Sequence, residues 1–134
     1  MQQALGYADT LDIPFVFSTN GKGFLFHDRT GLSEVTERQI KADSFPSPSD
    51  LFEWYKKSKK ITNETPELEK ALTSEYYTND SRKSPYYFQR IAINRVVEAV
   101  ARAKKRILLV MATGTGKTYT AGQIMWRLWK GGTA

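Results

Sequence analysis

The sequence predicts an α/β protein in two parts. A small strand-bearing part comes first; after a polar linker, a parallel-sheet domain begins and opens on a phosphate-binding loop. Three observations predict this. Phe15-Val16-Phe17 and Phe24-Leu25-Phe26 flank a glycine-containing turn. RILLVM at 106–111 is a continuous apolar run, as expected of a strand buried on both faces of a parallel sheet. MATGTGKTYT at 111–120 follows that run directly and leads into helical spacing.

Taken in order, residues 2–11 read as a short helix stopped before Pro14. The two phenylalanine-rich segments read as strands, and Asn20-Gly21 supplies the positive-φ positions of the turn between them. Ser47 is placed to cap a helix with Pro48 at its first position and Asp50 three residues on. That helix is expected to bury Leu51, Phe52, Trp54 and Tyr55. Residues 58–84 are polar and weakly patterned and read as a linker, with a short helix at 66–72. Over 86–103, Phe88, Ile91, Ala92, Val96, Ala99 and Val100 recur at helical spacing, and Arg90, Asn94, Glu98 and Arg102 form a wet stripe. Beyond the loop, Lys117 opens a helix with Ala121, Ile124, Met125 and Leu128 on one face, stopped by Gly131-Gly132. The resulting division is 1–45, 46–84 and 85–134.

Composition narrows the function. The 134 residues are 40% apolar and 25% charged, which is ordinary for a globular chain and enough for a modest core. A net charge of +6 favours acidic partners weakly. With no cysteine and one histidine, disulfide frameworks and Cys- or His-based metal clusters are excluded or disfavoured. No apolar run approaches the roughly 18 residues that span a bilayer, and the N-terminus lacks a signal-peptide pattern. The expectation is a soluble cytoplasmic protein with no membrane partner.

The loop carries the chemistry. Gly114 and Gly116 let backbone N–H groups turn inward toward phosphate oxygens, with Thr115 between them. The helix N-terminus adds a favourable dipole. Lys117 offers an ammonium to the β- and γ-phosphates, and Thr118 offers a hydroxyl to a nucleotide-bound Mg²⁺. Met111 stands where the common pattern has Gly or Ala.

YYFQRIAINRVVEAVARAKKRILLVMATGTGKTYTAGQIMWRLWK closely resembles the start of the first motor domain of superfamily 2 helicases. More narrowly, it is similar to the restriction (R) subunit of type I restriction-modification enzymes. The resemblance extends over essentially the whole chain. QQALGYADTLDIPFVFSTNGKGFLFHDRTG looks like the last third of the nuclease domain that precedes the motor in those subunits. It implies the C-terminal end of a nuclease-like α/β domain (1–45), a helix and linker (46–84), and the start of a RecA-like P-loop motor domain (85–134). It also implies ATP and Mg²⁺ as cofactors, and DNA and the methyltransferase and specificity subunits as partners.

By position, Gln89 matches the family's adenine-reading glutamine, because an amide offers a donor and an acceptor together; a surface polar residue on an amphipathic helix is the plainer reading. Gln3 and Tyr7 match a Gln-x-x-x-Tyr motif of RecB-type nucleases. Their i, i+4 spacing puts both on one helix face, either in support of a nuclease site or as an ordinary packed Tyr. No confident catalytic residue is assigned. The family's nuclease carboxylates would precede Met1, and its Asp-Glu-x-His motif would follow Ala134. The chain therefore reads as an internal piece of a larger subunit, inactive in isolation.

The remaining features read more plainly. Asp9, Asp12 and Asp28 show no Asp…Glu-x-Lys arrangement, and His27-Asp28-Arg29 reads as a solvated turn. Lys104, Lys105 and Arg106 read as a wet helix end; Lys56–Lys60 stays open between that and DNA-backbone contact. Tyr76-Tyr77 and Tyr86-Tyr87 are expected to pack against the sheet or the linker, with base stacking as the alternative and stacking near adenine as a third option for Tyr87. The competing account is a non-enzymatic basic module, binding nucleic acid or docking, that retains a P-loop. A stand-alone small NTPase is disfavoured, since no strand with a second acid follows the loop.

Overall fold

The computed structural model describes residues 1–62, 64–78 and 83–133. It divides into two units, 1–60 and 61–134.

In the first unit, α1 (Gln2–Leu11) ends at Asp12, which takes the left-handed conformation at φ 55° while the Ile13 N–H reaches back to the Ala8 carbonyl. β1 (Phe15–Thr19), β2 (Phe24–Asp28) and β3 (Glu37–Ile40) form an antiparallel sheet in that order. The Asn20-Gly21 turn forms as expected: Gly21 has φ 86°, and the Asn20 side chain accepts from the Lys22 N–H. Alternation puts Phe15, Phe17, Phe24 and Phe26 on one face. Trp54 covers Phe15 and Phe26, and Phe45 covers Phe17 and Phe24. β3 was not foreseen. Its sequence, ERQI, has no period-2 apolar pattern, and Arg38 closes the aromatic face by lying 5.0 Å over the Phe26 ring.

α2 (Pro48–Ser58) starts with the capping box expected of Ser47 and Asp50. The Asp50 N–H donates to Ser47 Oγ at 3.1 Å, and the Ser47 N–H donates to Asp50 at 3.0 Å. Leu51, Phe52, Trp54 and Tyr55 are half-buried. The most buried residue of α2 is Lys56, its ammonium 5.2 Å over the Phe52 ring and 2.7 Å from Glu53.

In the second unit, α3 (Pro66–Thr73), α4 (Tyr87–Ala101) and α5 (Lys117–Gly131) surround a core of Ala71, Ile93 and Val97, joined by Leu72, Tyr76, Ile124 and Leu128. Two expectations about helix faces are corrected. In α4 the innermost residues are Ile93 and Val97, and Glu98 of the expected wet stripe is buried. Phe88, Ile91, Ala92 and Val96 instead line a groove of about 420 Å³ with residues 107–112. In α5, Ile124 and Leu128 of the expected face do pack on the core, but the most buried residues are Thr120, Gln123, Arg127 and Gly131, and Ala121 and Met125 (69%) are exposed. The reason lies in the polar stretch read as a linker. Residues 71–77 pack on α5, and their backbone groups need partners. Gln123 accepts from the Tyr77 N–H and donates to the Tyr77 carbonyl, at 2.8 and 2.7 Å. Arg127 donates to the carbonyls of Ala71 (3.2 Å) and Leu72 and to Asn94 Oδ1 (2.6 Å).

The RILLVM strand is also corrected. Residues 106–111 pair with nothing: among the described residues all strands lie in the first unit, in an antiparallel sheet. Leu108 and Val110 are 88% and 82% exposed. A strand exists through its ladder, and no described segment of this unit supplies one. The parallel sheet expected of the second part is accordingly not seen.

Two tests follow from the packing. A methyl at Gly131 would sit 2.6 Å from Ala71 Cβ and 2.8 Å from the Glu67 carbonyl oxygen. Overpacking costs about 1–3 kcal/mol, against a helix-propensity gain of at most about 1 kcal/mol. Gly131→Ala is therefore expected to lower the urea midpoint; an unchanged or raised midpoint would contradict the close α3–α5 crossing. At the α2 cap, the Ser47 hydroxyl, followed by its backbone N–H, holds the Asp50 carboxyl below its ordinary range. That contribution is present above the unfolded-state pKa and is lost as pH falls through the lower folded-state value. Ser47→Ala should lower the thermal midpoint at neutral pH, and the gap to wild type should narrow in strong acid. A gap independent of pH would mean the Asp50 half of the cap contributes nothing.

Candidate functional site

The loop between residues 111 and 117 ends where α5 begins. Gly114 and Gly116 both adopt the left-handed conformation, at φ 79° and 82°. For Gly114 the requirement is purely conformational, since a Cβ there would meet nothing within 4 Å. At Gly116 space is short as well: a Cβ would lie 2.6 Å from Gln89 Nε2. Thr115 folds back on the loop, its hydroxyl donating to the Ala112 carbonyl at 2.6 Å. The first helical bond of α5 runs from the Thr120 N–H to the Gly116 carbonyl at 2.9 Å. The N–H groups of Lys117, Thr118 and Tyr119 therefore stand before the helix ladder, as the first turn of any helix requires. Lys117 and Thr118 are exposed at this end, and the first turn holds no acidic residue. The loop thus brings Gly114, Thr115, Gly116, Lys117 and Thr118 together at one helix N-terminus, two of them glycines at positive φ.

Gln89 belongs to the same constellation through its protein contacts. It is 5% exposed, in the first turn of α4. Its oxygen accepts from the Tyr86 N–H at 3.0 Å, and its Nε2 donates to the Thr115 carbonyl at 2.8 Å. Tyr86, Tyr87 and Phe88 pack on one another beside it, Tyr86 stacked on Phe88 at 5.8 Å and Tyr87 edge-on at 5.6 Å.

In the first unit, Gln3 and Tyr7 do share a face of α1, but Gln3 Nε2 is 3.5 Å from the Tyr7 hydroxyl, a weak contact, and Tyr7 is 63% exposed. The carboxylates are engaged in local structure. Asp9 pairs with Arg29, Asp12 lies 3.6 Å from Lys59, and Asp28 accepts from the Thr30 N–H and hydroxyl at 2.8 and 2.6 Å. His27 faces Glu37 at 3.1 Å. Among the described residues no group of three or more His, Asp or Glu converges as a metal site. Lys104, Lys105 and Arg106 are exposed just past the end of α4, as expected. Tyr76 and Tyr77 pack: Tyr76 donates to Asn94 at 3.1 Å, and Tyr77 meets Trp126 edge-on at 5.0 Å. No helix among the described residues is long and apolar enough to cross a membrane.

Sequence reasoning missed Gln123 and Arg127, the side chains that dock residues 71–77 on the helix bearing the loop. A signal was present. Residues 120, 123, 127 and 131 repeat at helical spacing and are Thr, Gln, Arg and Gly, a polar and small stripe opposite the exposed Met125 and Trp129.

The class is shown by comparison with known proteins. Residues 82–134 match the family model of the type III restriction enzyme res subunit, a helicase-related domain. The chain is 52% identical over 97% of its length to the endonuclease subunit of the type I restriction enzyme EcoAI of Escherichia coli. To the corresponding EcoKI subunit of E. coli K12 it is 32% identical over 87%. A solved fragment described as an HsdR subunit of a type I restriction enzyme from Vibrio vulnificus YJ016 superposes with a TM-score of 0.77 at 41% identity, covering 98% of this chain and 23% of that one. This chain belongs to the family of type I restriction enzyme endonuclease subunits. It spans 16% and 10% of the two E. coli subunits.

Proposed function

We propose that this chain is the ATP-binding portion of an ATP-dependent DNA translocase and endonuclease subunit, working on DNA with methyltransferase and specificity subunits. The observation that carries the reading is the placement of Lys117 and Thr118 at an exposed helix N-terminus directly after two left-handed glycines. These residues fit a nucleotide triphosphate with Mg²⁺. The orphan N–H groups and the dipole of α5 favour an anion. The Lys117 ammonium meets the β- and γ-phosphates, and the Thr118 hydroxyl is an oxygen ligand suited to a hard cation. ATP, when bound, supplies the phosphoanhydride whose cleavage drives movement along DNA. Gln89 completes the reading as the adenine contact. Beyond its two backbone bonds, its amide retains one N–H and one oxygen lone pair, the pairing an adenine edge calls for. Gln3 and Tyr7 are assigned a supporting place beside the nuclease site.

Titration calorimetry with Mg·ATP tests the loop. Lys117→Ala removes charge-assisted bonds to phosphate, so affinity should fall roughly ten- to a hundredfold. Equal binding by mutant and wild type would remove the assignment. The 134-residue chain itself is expected to hydrolyse no ATP and cut no DNA, since both reactions need positioned carboxylates around Mg²⁺. Turnover that survives repurification and disappears in Lys117→Ala would overturn that expectation.

A further inference from the structure

The loop must present N–H groups to an anion, and something must keep its carbonyls from pointing there instead. The Thr115 carbonyl and the Gly116 N–H belong to one peptide unit. Among the described residues no peptide bond is cis, so the two point in opposite directions. Gln89 Nε2 binds the Thr115 oxygen at 2.8 Å from the α4 side. The Gly116 N–H is therefore turned away from α4, and no described carbonyl accepts from it. The Gln89 amide cannot be reversed in place: that would set its oxygen against the Thr115 oxygen and its NH₂ against the Tyr86 N–H. Its orientation is fixed by the helix cap at one end and by the loop at the other.

From this geometry we infer that Gln89 is a positioning residue for the phosphate site: by holding the Thr115 carbonyl, it sets the Thr115–Gly116 peptide plane with its N–H toward the anion before any nucleotide arrives. The role needs no base in the ligand. Gly116 serves the same arrangement, since a side chain there would strike the Gln89 amide as well as strain the backbone. The inference rests on the phosphate-site reading above, yet it can fail separately.

The discriminating probe is inorganic tripolyphosphate with Mg²⁺, which has phosphates and no base. Binding of tripolyphosphate, ATP and GTP is measured by calorimetry on the chain and on three variants. Gln89→Met keeps the side chain's length and loses the amide. Gln89→Glu retains an acceptor for the Tyr86 N–H, and so the α4 cap, while losing the donor to Thr115. Lys117→Ala is the control for the site itself. In parallel, the ¹⁵N–¹H signal of Gly116 is followed without ligand. Loss of this one hydrogen bond should weaken tripolyphosphate and GTP binding about three- to tenfold in both Gln89 variants, and ATP by at least as much, since its adenine contact goes too. The ligand-free Gly116 signal should shift or broaden while the melting temperature stays unchanged, which excludes general destabilisation as the cause. If Lys117→Ala weakens tripolyphosphate binding and the Gln89 variants do not, the positioning role is wrong and the site stands. If the Gln89 variants weaken ATP alone, Gln89 acts through the base. If Lys117→Ala has no effect either, the phosphate site itself is wrong. Should Gln89→Met fail to fold, Gln89→Glu alone decides, and an undisturbed Gly116 signal in it overturns the inference.

Discussion

The second unit depends on a shortage of regular partners for its backbone. Its chain runs irregularly through residues 74–78, 83–86 and 102–116, and where these stretches lie against the helices their backbone N–H and C=O groups cannot be left alone. Long polar side chains from the helices answer that need. Arg127 binds the carbonyls at the end of α3, Gln123 binds both backbone groups of Tyr77, and Gln89 joins the start of α4 to the loop at Thr115. Losing any of them would strand buried polar atoms, which costs more than the bond itself contributes. That asymmetry explains why α5 turns Gln123 and Arg127 inward and leaves Met125 and Trp129 in solvent.

The same device shapes the end of the unit proposed as its functional site. A phosphate loop is a stretch of backbone whose N–H groups are deliberately left without partners, so its carbonyls have to be disposed of elsewhere. Thr115 shows both halves of this: its hydroxyl ties back to Ala112, and its carbonyl goes to Gln89. The glycines on either side supply the two left-handed turns. What remains free is the first turn of α5, with Lys117 and Thr118 in water. Chemistry and packing meet in one short segment, and α4 acts as its anchor.

Much of this was legible in the sequence, and the rest failed for identifiable reasons. The turn at Asn20-Gly21, the Ser47–Asp50 cap and the extents of α1, α4 and α5 were set by local chemistry, and local chemistry is readable. The helix faces are only partly legible: Ala99, Ile124 and Leu128 turn inward as their spacing suggests, but periodicity counts apolar residues, whereas here polar residues also face inward to meet backbone. Strand β3 escaped because its contribution is an arginine over an aromatic ring. Residues 106–111 have the composition of a buried strand and remain exposed because a strand is completed by neighbours, which no local pattern can supply. Of the site, the motif gave Gly114 to Thr118 by itself. Gln89 was singled out for its amide, but the two backbone groups that amide binds lie 3 and 26 residues away, and only the fold brings the farther one close.

Residues 112–118, anchored by Gln89, are proposed as a ready-made phosphate site in this chain. Mapping the backbone amides that respond to Mg·ATP in a ¹⁵N–¹H titration tests it most directly. The account predicts the largest changes at Gly114, Gly116, Lys117 and Thr118, with the Gly21 turn of the first unit unmoved. Changes concentrated instead in the groove of about 840 Å³ lined by Tyr77, Lys83, Tyr119, Trp126 and Trp129, with the loop amides silent, would contradict it.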